Sequence, residues 1–468
     1  MSTGLADAPG HNQDPRGSVQ GPAVTRPQPR SLTSLFRLRT GTMVAMTAGI
    51  TVSLAPGLLP RTPTAQGLLT GVLITVAVGI GGVLRMALRR SRFHVERRRH
   101  RAAVLAGCAA IVAGALAQAG RWQDRLRAAM GFPDVGIVYW AECAVEAILV
   151  AATLIGLCRG IRWAAGRVRR ARGPKLALVA ALAIPLAALP ALADSQHPAS
   201  ADTAAPQTAS VIRSGSATSA ADWSSLGLEG RRFVSAEPSR AVRLYVGLES
   251  APDLNSRVAL AMRELERSGG LRRANIVVMV PTGSGWVDAH AAAGMDRRFG
   301  GDVAMVALQY TDTPSWVSFL FDRRAAARSQ RALFAALENR LSGLKNPPRL
   351  YIYGQSLGAT AGSAVFTDDA DQRHRVCAAL WAGPPADRVH RAGATILSNS
   401  SDPVVQWSPE LLWRAPDLTG VRADAPHPQW IPFVTFVQTS VDLLSALSAP
   451  PGHGHRYGAD QGTAMGAC

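Results

Sequence analysis

The segment 349–363 limits the possible folds of this chain more than any other, because it reads as a strand, a sharp turn and a helix. Apolar and aromatic residues lead into Gly354-Gln355-Ser356-Leu357-Gly358, and small, helix-compatible residues follow. Glycine two positions before and two positions after the serine lets the strand and the helix pass closely. A glycine-rich turn can contain the same letters by chance, but the flanking strand and helix favour a nucleophile elbow with Ser356 as a catalytic serine.

Five apolar stretches precede this segment, and each is close to the ~20 residues that a helix needs to cross a bilayer. They are residues 42–60, 67–87, 102–119, 137–158 and 176–194. Long runs without charge on any face argue against a soluble helical bundle, whose helices keep a polar side. The sequence therefore predicts a transmembrane domain of five helices over residues 41–194. Residues 1–40, rich in Pro, Gly and Gln, are predicted to be a disordered cytoplasmic tail.

The placement of arginine predicts the orientation of these spans. The loop 89–101 holds seven arginines and the loop 159–175 holds six arginines and a lysine; both follow an even-numbered span. Loops of this kind stay in the cytoplasm, so an odd number of spans puts everything after residue 195 outside. The net charge of +18 thus indicates contact with the membrane surface rather than with nucleic acid. We expect a multi-pass cell-membrane protein with an extracytoplasmic C-terminal domain.

The C-terminal part alternates apolar β-rich runs with helix-like segments. Residues 195–222 are rich in Ser, Thr and Ala and predict a flexible linker, and residues 223–468 suit one domain. Helical periodicity covers 253–268 and 324–344. Strands are predicted at 242–247, 275–280, 302–309, 350–354, 377–382 and 394–398. Such alternation predicts an α/β domain with a mainly parallel sheet that helices cover on both faces.

A serine nucleophile needs a histidine to take its proton and a carboxylate to orient that histidine. Asp402 follows the predicted strand 394–398 and is the preferred acid, although an Asp before proline can also bond its own backbone. Asp387 and Glu410 are poorer candidates. His455, with His453 as the alternative general base, lies in a glycine-rich segment near the C-terminus, and His427 lies in a proline-rich loop.

The oxyanion of an acyl-transfer reaction needs two N–H donors. Leu357, directly after the serine, supplies one, and the glycine-rich loop after the strand 275–280 supplies the other from Thr282 or Gly283. No Gly-Lys-Ser/Thr follows that loop, which argues against phosphate binding. The five cysteines have no metal-ligand spacing, so no metal or cofactor is expected. Whether Cys377 and Cys468 form a disulfide is left open.

Several segments together resemble a bacterial family of membrane-anchored α/β-hydrolases, which have a multi-span N-terminal domain and a C-terminal serine hydrolase domain. The resemblance rests on 53–61, 243–250, 281–286, 309–310, 314–316, 354–358, 380–385 and 452–457. It covers nearly the whole chain after residue 40 and implies a sheet of the α/β-hydrolase type with Ser356 as the nucleophile. Gln355 stands where the family usually has Glu, a difference that is not expected to touch the proposed triad.

These observations predict a membrane-anchored serine hydrolase of the esterase or lipase type. Ser356, Asp402 and His455 would form its catalytic triad and cleave carboxylic esters with an apolar part. The expected partners are an ester or lipid substrate and the membrane lipids, with no nucleic acid; the oligomeric state is unknown. Two alternatives stay open: an acyltransferase that uses the same triad, and a non-enzymatic membrane receptor or transporter with a degenerate hydrolase domain.

Overall fold

A computed structural model describes the chain in six stretches: residues 40–90, 101–171, 210–236, 239–313, 323–458 and 461–468. The stretches before residue 172 are helical, and those from residue 210 onward form an α/β domain. The predicted fifth span, 176–194, lies outside the described residues, as do residues 1–39 of the predicted tail.

The described part of the N-terminal region contains four helices: α1 (Thr40–Ser53), α2 (Pro63–Arg90), α3 (Arg101–Ala129) and α4 (Ile137–Ala171). Among the described residues, three helical stretches are long and apolar enough to cross a bilayer: Pro63–Ala87, Arg101–Ala129 and Ile137–Arg167. The first predicted span, 42–60, coincides with a helix of only 14 residues. This helix ends at Ser53 because Pro56 and Pro60 cannot continue it, so residues 54–62 form a loop instead.

A parallel sheet forms the centre of the C-terminal domain. Its strands, in chain order, are β1 (Val242–Val246), β2 (Asn275–Val280), β3 (Val303–Leu308), β4 (Arg349–Gln355), β5 (Ala378–Ala382) and β6 (Ala394–Leu397). They lie in the order β1-β3-β2-β4-β5-β6, and every neighbouring pair is parallel. Each strand agrees with its predicted range to within one residue at either end. The predicted α/β fold with a mainly parallel sheet is confirmed.

Helices cover the two faces of this sheet, and a typical one shows how the sequence sets its start. The carboxylate of Asp253 accepts a hydrogen bond from the Ser256 N–H and caps α6. The helices are α5 (Gly227–Ser235), α6 (Leu254–Arg267), α7 (Ala289–Arg298), α8 (Arg323–Ser342), α9 (Leu357–Ser363), α10 (Asp369–Arg375), α11 (Pro403–Gln406) and α12 (Val434–Asp442). Short 3-10 turns lie at Trp223–Leu226, Leu248–Ser250, Gly270–Arg272, Pro385–Asp387, Pro409–Leu412, Leu443–Ser445 and Gln461–Ala464.

The strand order creates a crevice between β2 and β4. The chain leaves β2 toward β3 on one side of the sheet and leaves β4 toward β5 on the other side. The last residue of β2, Val280, is directly opposite Gly354 of β4. In open parallel sheets, ligands bind at the carboxyl ends of strands where the order reverses in this way. The fold therefore brings the loop after β2 close to Ser356.

The predicted linker ends earlier than the sequence indicated, because residues 210–222 pack on the α/β domain. Ser219 and the Ala220 N–H donate hydrogen bonds to the buried carboxylate of Glu264. Burial alone would raise the pKa of Glu264, but its bonds to Arg267, Ala220 and Ser219 outweigh that effect and lower the pKa. The domain begins near residue 210 rather than 223, since small polar residues of the linker supply donors to a buried charge.

The loop 54–62 joins the helical region to the C-terminal domain. Arg61 forms a salt bridge with Asp442 at the end of α12, with an Nη2–Oδ1 distance of 2.7 Å. The Leu58 N–H donates to the other carboxylate oxygen at 2.6 Å. Leu58 and its neighbour Leu59 pack with Met130 and Ala449 in a small apolar cluster. Charge pairing and apolar packing therefore hold the two regions together.

A disulfide closes the C-terminal end of the chain. Cys377 and Cys468 are bonded, with their Cα atoms 4.9 Å apart. The Cys377–Cys468 disulfide, which the sequence left open, is thus present. It links Cys468 to the residue directly before β5.

Candidate active site

Ser356 lies on a strained turn between β4 and α9. Its backbone has φ +55° and ψ −127°, a left-handed conformation that is rare for residues other than glycine. A Cβ atom on Gly354 would lie 2.3 Å from the Gly358 carbonyl oxygen, and one on Gly358 would lie 2.4 Å from the Val280 oxygen. Only glycine fits at either position. The spacing of the two glycines around Ser356 thus has the steric cause that the sequence indicated.

The fold brings together Asp402 and His455, which are 53 positions apart in the chain. His455 Nδ1 lies 2.7 Å from Asp402 Oδ2, and both side chains are buried. The other oxygen, Oδ1, accepts the Val404 N–H at 2.8 Å and caps α11. Asp402 therefore performs both of the roles considered from the sequence, because one carboxylate oxygen caps a helix and the other bonds the histidine.

Tyr457 is a further partner of the Asp402 carboxylate, and no role was predicted for it from the sequence. Its hydroxyl donates to Asp402 Oδ2 at 2.5 Å. Burial, followed by the negative charge of Asp402, raises the pKa of Tyr457 well above its ordinary value. The phenol therefore keeps its proton and remains a donor. The position of a tyrosine two residues after His455 is the only sequence signal for this contact.

Ser356 and His455 lie against the same end of β5. The Ser356 N–H donates to the Ala382 carbonyl at 2.8 Å. The next residue, Gly383, has φ +55°, and a Cβ atom there would lie 2.6 Å from His455 Cε1. His455 Nε2 is buried and has no hydrogen-bond partner among the described residues. The Asp402 carboxylate is an acceptor, so it favours the tautomer with the proton on Nδ1, in which Nε2 is the acceptor of the ring.

Gln355 connects the turn at Ser356 to the histidine loop, contrary to the expectation that it does not touch the triad. Its Nε2 donates to the His455 carbonyl at 3.2 Å, and its Oε1 accepts the Tyr353 hydroxyl at 3.2 Å. Burial, followed by the charge of Asp288, raises the pKa of Tyr353 well above its ordinary value, so it stays a donor. An amide satisfies both bonds at once, whereas an ionised Glu could only accept.

The other candidate histidines and acids have different partners. His453 Nδ1 lies 3.1 Å from Asp424 Oδ2, so His453 does not bond Asp402. His427 bonds the Gln406 side chain at 3.1 Å, and burial lowers the pKa of its imidazole. Asp387 pairs with Arg391, and Glu410 with Arg388. The geometry thus favours His455 over the alternative base, His453.

The candidate oxyanion donors differ in whether their N–H groups are engaged. The Thr282 N–H donates to the Trp286 carbonyl at 2.9 Å within the loop after β2, so it is not available to a ligand. Leu357 is the first residue of α9, where no earlier carbonyl of the helix can accept its N–H. The buried backbone of Gly283 lies beside Thr282 in the same loop. Leu357 and Gly283 therefore stay candidates, and Thr282 becomes the weaker one.

The parallel sheet, the strained serine turn and the buried Asp–His pair together define an α/β protein of the hydrolase type. Comparison with known families agrees with this class. A model described as the alpha/beta-hydrolase family matches residues 242–394 and 388–467, and a model of that family's N-terminus matches 54–196 and 187–238. The chain therefore belongs to this alpha/beta-hydrolase family. No curated protein and no solved structure matches it.

Proposed function

We propose that this protein is a membrane-anchored serine hydrolase that cleaves carboxylic esters through an acyl-enzyme on Ser356. The observation that carries the proposal is the buried 2.7 Å contact between His455 Nδ1 and Asp402 Oδ2. The Nε2 of the same imidazole has no hydrogen-bond partner in the described part of the chain. The imidazole lies against the end of β5, to which the Ser356 N–H is hydrogen-bonded. A base oriented by a carboxylate next to a strained serine is the arrangement that activates a hydroxyl nucleophile.

In this mechanism the Ser356 Oγ attacks the ester carbonyl while His455 Nε2 takes its proton. The N–H groups of Leu357 and Gly283 donate to the oxyanion of the tetrahedral intermediate. The intermediate collapses, the alcohol leaves with the proton from His455, and the acyl group stays on Ser356. Water then attacks this acyl-enzyme with the same base and releases the acid.

Asp402 acts in this scheme by orienting the imidazole and stabilising its positive form. Its carboxylate is buried, which strengthens its interaction with the imidazolium that forms during attack. The hydroxyl of Tyr457 donates to the oxygen that bonds His455 and limits the rotation of the carboxylate. We therefore assign Tyr457 a positioning role.

The proposed location is the cell membrane, with the catalytic domain outside. Loop 54–62 and Met130, which contact the catalytic domain, lie at the Pro63 end of α2 and the Ala129 end of α3, whereas Arg90 and Arg101 lie at the opposite ends of these helices. The Cys377–Cys468 disulfide supports the same side, because disulfides persist in oxidising compartments. Alkaline phosphatase fused after residue 468 should be active, whereas activity of a cytoplasm-dependent reporter there would reject this orientation.

The esterase activity can be tested on the full-length protein in detergent micelles with nitrophenyl esters of increasing acyl length. We expect turnover by the wild type and none by Ser356→Ala. Ser329→Ala on α8 is a matched control, because that buried serine lies outside the proposed site. Equal turnover by Ser356→Ala and the wild type would refute the proposed nucleophile.

A further inference from the structure

Helix α12 buries polar side chains and exposes apolar ones, which is the reverse of a helix on the surface of a soluble domain. Its buried residues are polar: Thr435, Gln438, Thr439 and Asp442. The exposed or half-buried side carries apolar residues at steps of four, four and three: Phe433, Val437, Val441 and Leu444. Helices of soluble domains bury the apolar side and expose the polar one. This reversal indicates that the outer side of α12 faces a medium other than water.

The buried polar side of α12 has its partners in the membrane-spanning region. The Gln438 side chain donates to the Val52 carbonyl at the end of α1, at 2.6 Å. Asp442 accepts bonds from Arg61 and from the Leu58 N–H. These bonds explain why polar residues lie on the inner side, and they attach α12 directly to the top of the transmembrane helices.

The depth of this attachment follows from the contacts between α1 and α2. Ser53 bonds Thr70, which lies seven residues into α2 from Pro63, or ~10 Å along a helix. The stretch from Pro63 to Arg85, the first charged residue of α2, is ~33 Å long and matches the ~30 Å hydrocarbon core. Pro63 therefore lies near the outer boundary and Val52 lies below it. Because the Gln438 side chain of α12 bonds the Val52 carbonyl, α12 lies at the level of this boundary.

Further apolar side chains extend the exposed side of α12. Phe433 is 66% exposed and Trp413 is 64% exposed, and the Phe433 N–H bonds the carbonyl of Leu412, next to Trp413. Leu447 is 46% exposed. Phe433 also has φ +61°, which is strained for a bulky residue, so the surrounding contacts hold it in this position. Aromatic residues of this kind are typical of membrane–water interfaces.

We propose that α12 and its neighbours form a bilayer-contacting surface, made of Trp413, Ile431, Phe433, Val437, Val441, Leu444 and Leu447. This surface lies in the outer boundary of the membrane and contacts acyl chains. The inference rests on the membrane anchoring in the proposed function. It also links the bilayer to the active site, because the Ala446 carbonyl, four residues after α12, accepts the His455 N–H at 3.0 Å.

Photo-crosslinking in phosphatidylcholine nanodiscs tests this surface on the full-length chain. Benzoylphenylalanine replaces Phe433 or Leu447 in separate variants, and mass spectrometry identifies the adducts. The control position is Leu228, an exposed apolar residue on α5, and this helix contacts β1 at the sheet edge opposite to β6. We expect phospholipid adducts at positions 433 and 447 and none at position 228.

The outcomes separate this inference from the proposed function. Absence of lipid adducts at both positions, or crosslinks to a second copy of the chain, would overturn the bilayer-contacting surface. Each preparation is also treated with a fluorophosphonate, which labels an activated serine, and its folding is checked separately by thermal unfolding. Labelled Ser356 without lipid adducts would reject the surface and keep the hydrolase. Lipid adducts without labelling would keep the surface and reject the hydrolase.

Discussion

Removing one charge of the Arg61–Asp442 pair should weaken both the folded structure and the active site. Asp442→Asn leaves the Arg61 guanidinium buried without a counter-charge, since the two side chains are 2% and 0% exposed. Breaking a buried pair in this way costs about 3–5 kcal/mol. For a domain of this size, each kcal/mol lowers the melting temperature by about 2–4 °C, so a decrease of about 6–20 °C is expected.

The matched variants are Arg61→Met and the double variant Arg61→Met/Asp442→Asn. The single Arg61→Met should be as harmful as Asp442→Asn, because it leaves a buried carboxylate. The double variant removes both charges and keeps an acceptor for the Leu58 N–H, so it should recover most of the lost stability.

Thermal unfolding and ester hydrolysis of the full-length protein in detergent provide the two measurements. Hydrolysis should decrease with stability in the single variants, because α12 leads into the segment whose Ala446 carbonyl bonds His455. Single variants as stable as the wild type, or a double variant that loses the sum of the two single effects, would refute the importance of this pair.

Three further predictions follow from the geometry of the domain. Tyr457→Phe removes a hydrogen bond to the buried Asp402 carboxylate, so the free energy of unfolding should decrease by about 1.5 kcal/mol. The kcat of ester hydrolysis should decrease while KM stays near its wild-type value, because the carboxylate that orients His455 is held less firmly, and an unchanged kcat would contradict the positioning role. Gly358→Ala places a Cβ atom 2.4 Å from the Val280 oxygen, so the free energy of unfolding should decrease by about 1–3 kcal/mol. Unchanged stability would contradict this close approach. Glu264 has a lowered pKa in the folded state, so its stabilising effect is complete above its ordinary pKa of 4.5 and is lost as pH falls from there through the lowered pKa of the folded state. The difference in melting temperature between the wild type and Glu264→Gln should therefore decrease on acidification from pH 7 to pH 4.

Local patterns in the sequence predicted the strands and the positions at their ends. The six strand ranges agree to within one residue, because buried parallel strands are continuous apolar runs. Asp402 could be selected because it follows β6, and Ser356 because two glycines surround it. These features depend on residues that are adjacent in the chain, so a sequence pattern can predict them directly.

Contacts between distant residues could not be predicted in the same way. Arg61 and Asp442 are 381 residues apart, and nothing in either local segment indicates the other. Gln355 bonds the His455 carbonyl, although the two residues are 100 positions apart in the chain. The presence of Gln where the family usually has Glu therefore did not indicate this contact. The early start of the domain near residue 210 likewise depends on the buried Glu264 carboxylate.

Mapping the site of fluorophosphonate labelling tests whether His455 activates Ser356 as the nucleophile. The full-length protein in detergent is labelled, digested and sequenced by mass spectrometry, and His455→Ala is treated in parallel. We expect one labelled peptide, modified at Ser356, and strongly reduced labelling in His455→Ala, because the hydroxyl then lacks its proton acceptor. Absence of labelling in the folded wild type, or equal labelling of His455→Ala, would contradict a serine activated by His455.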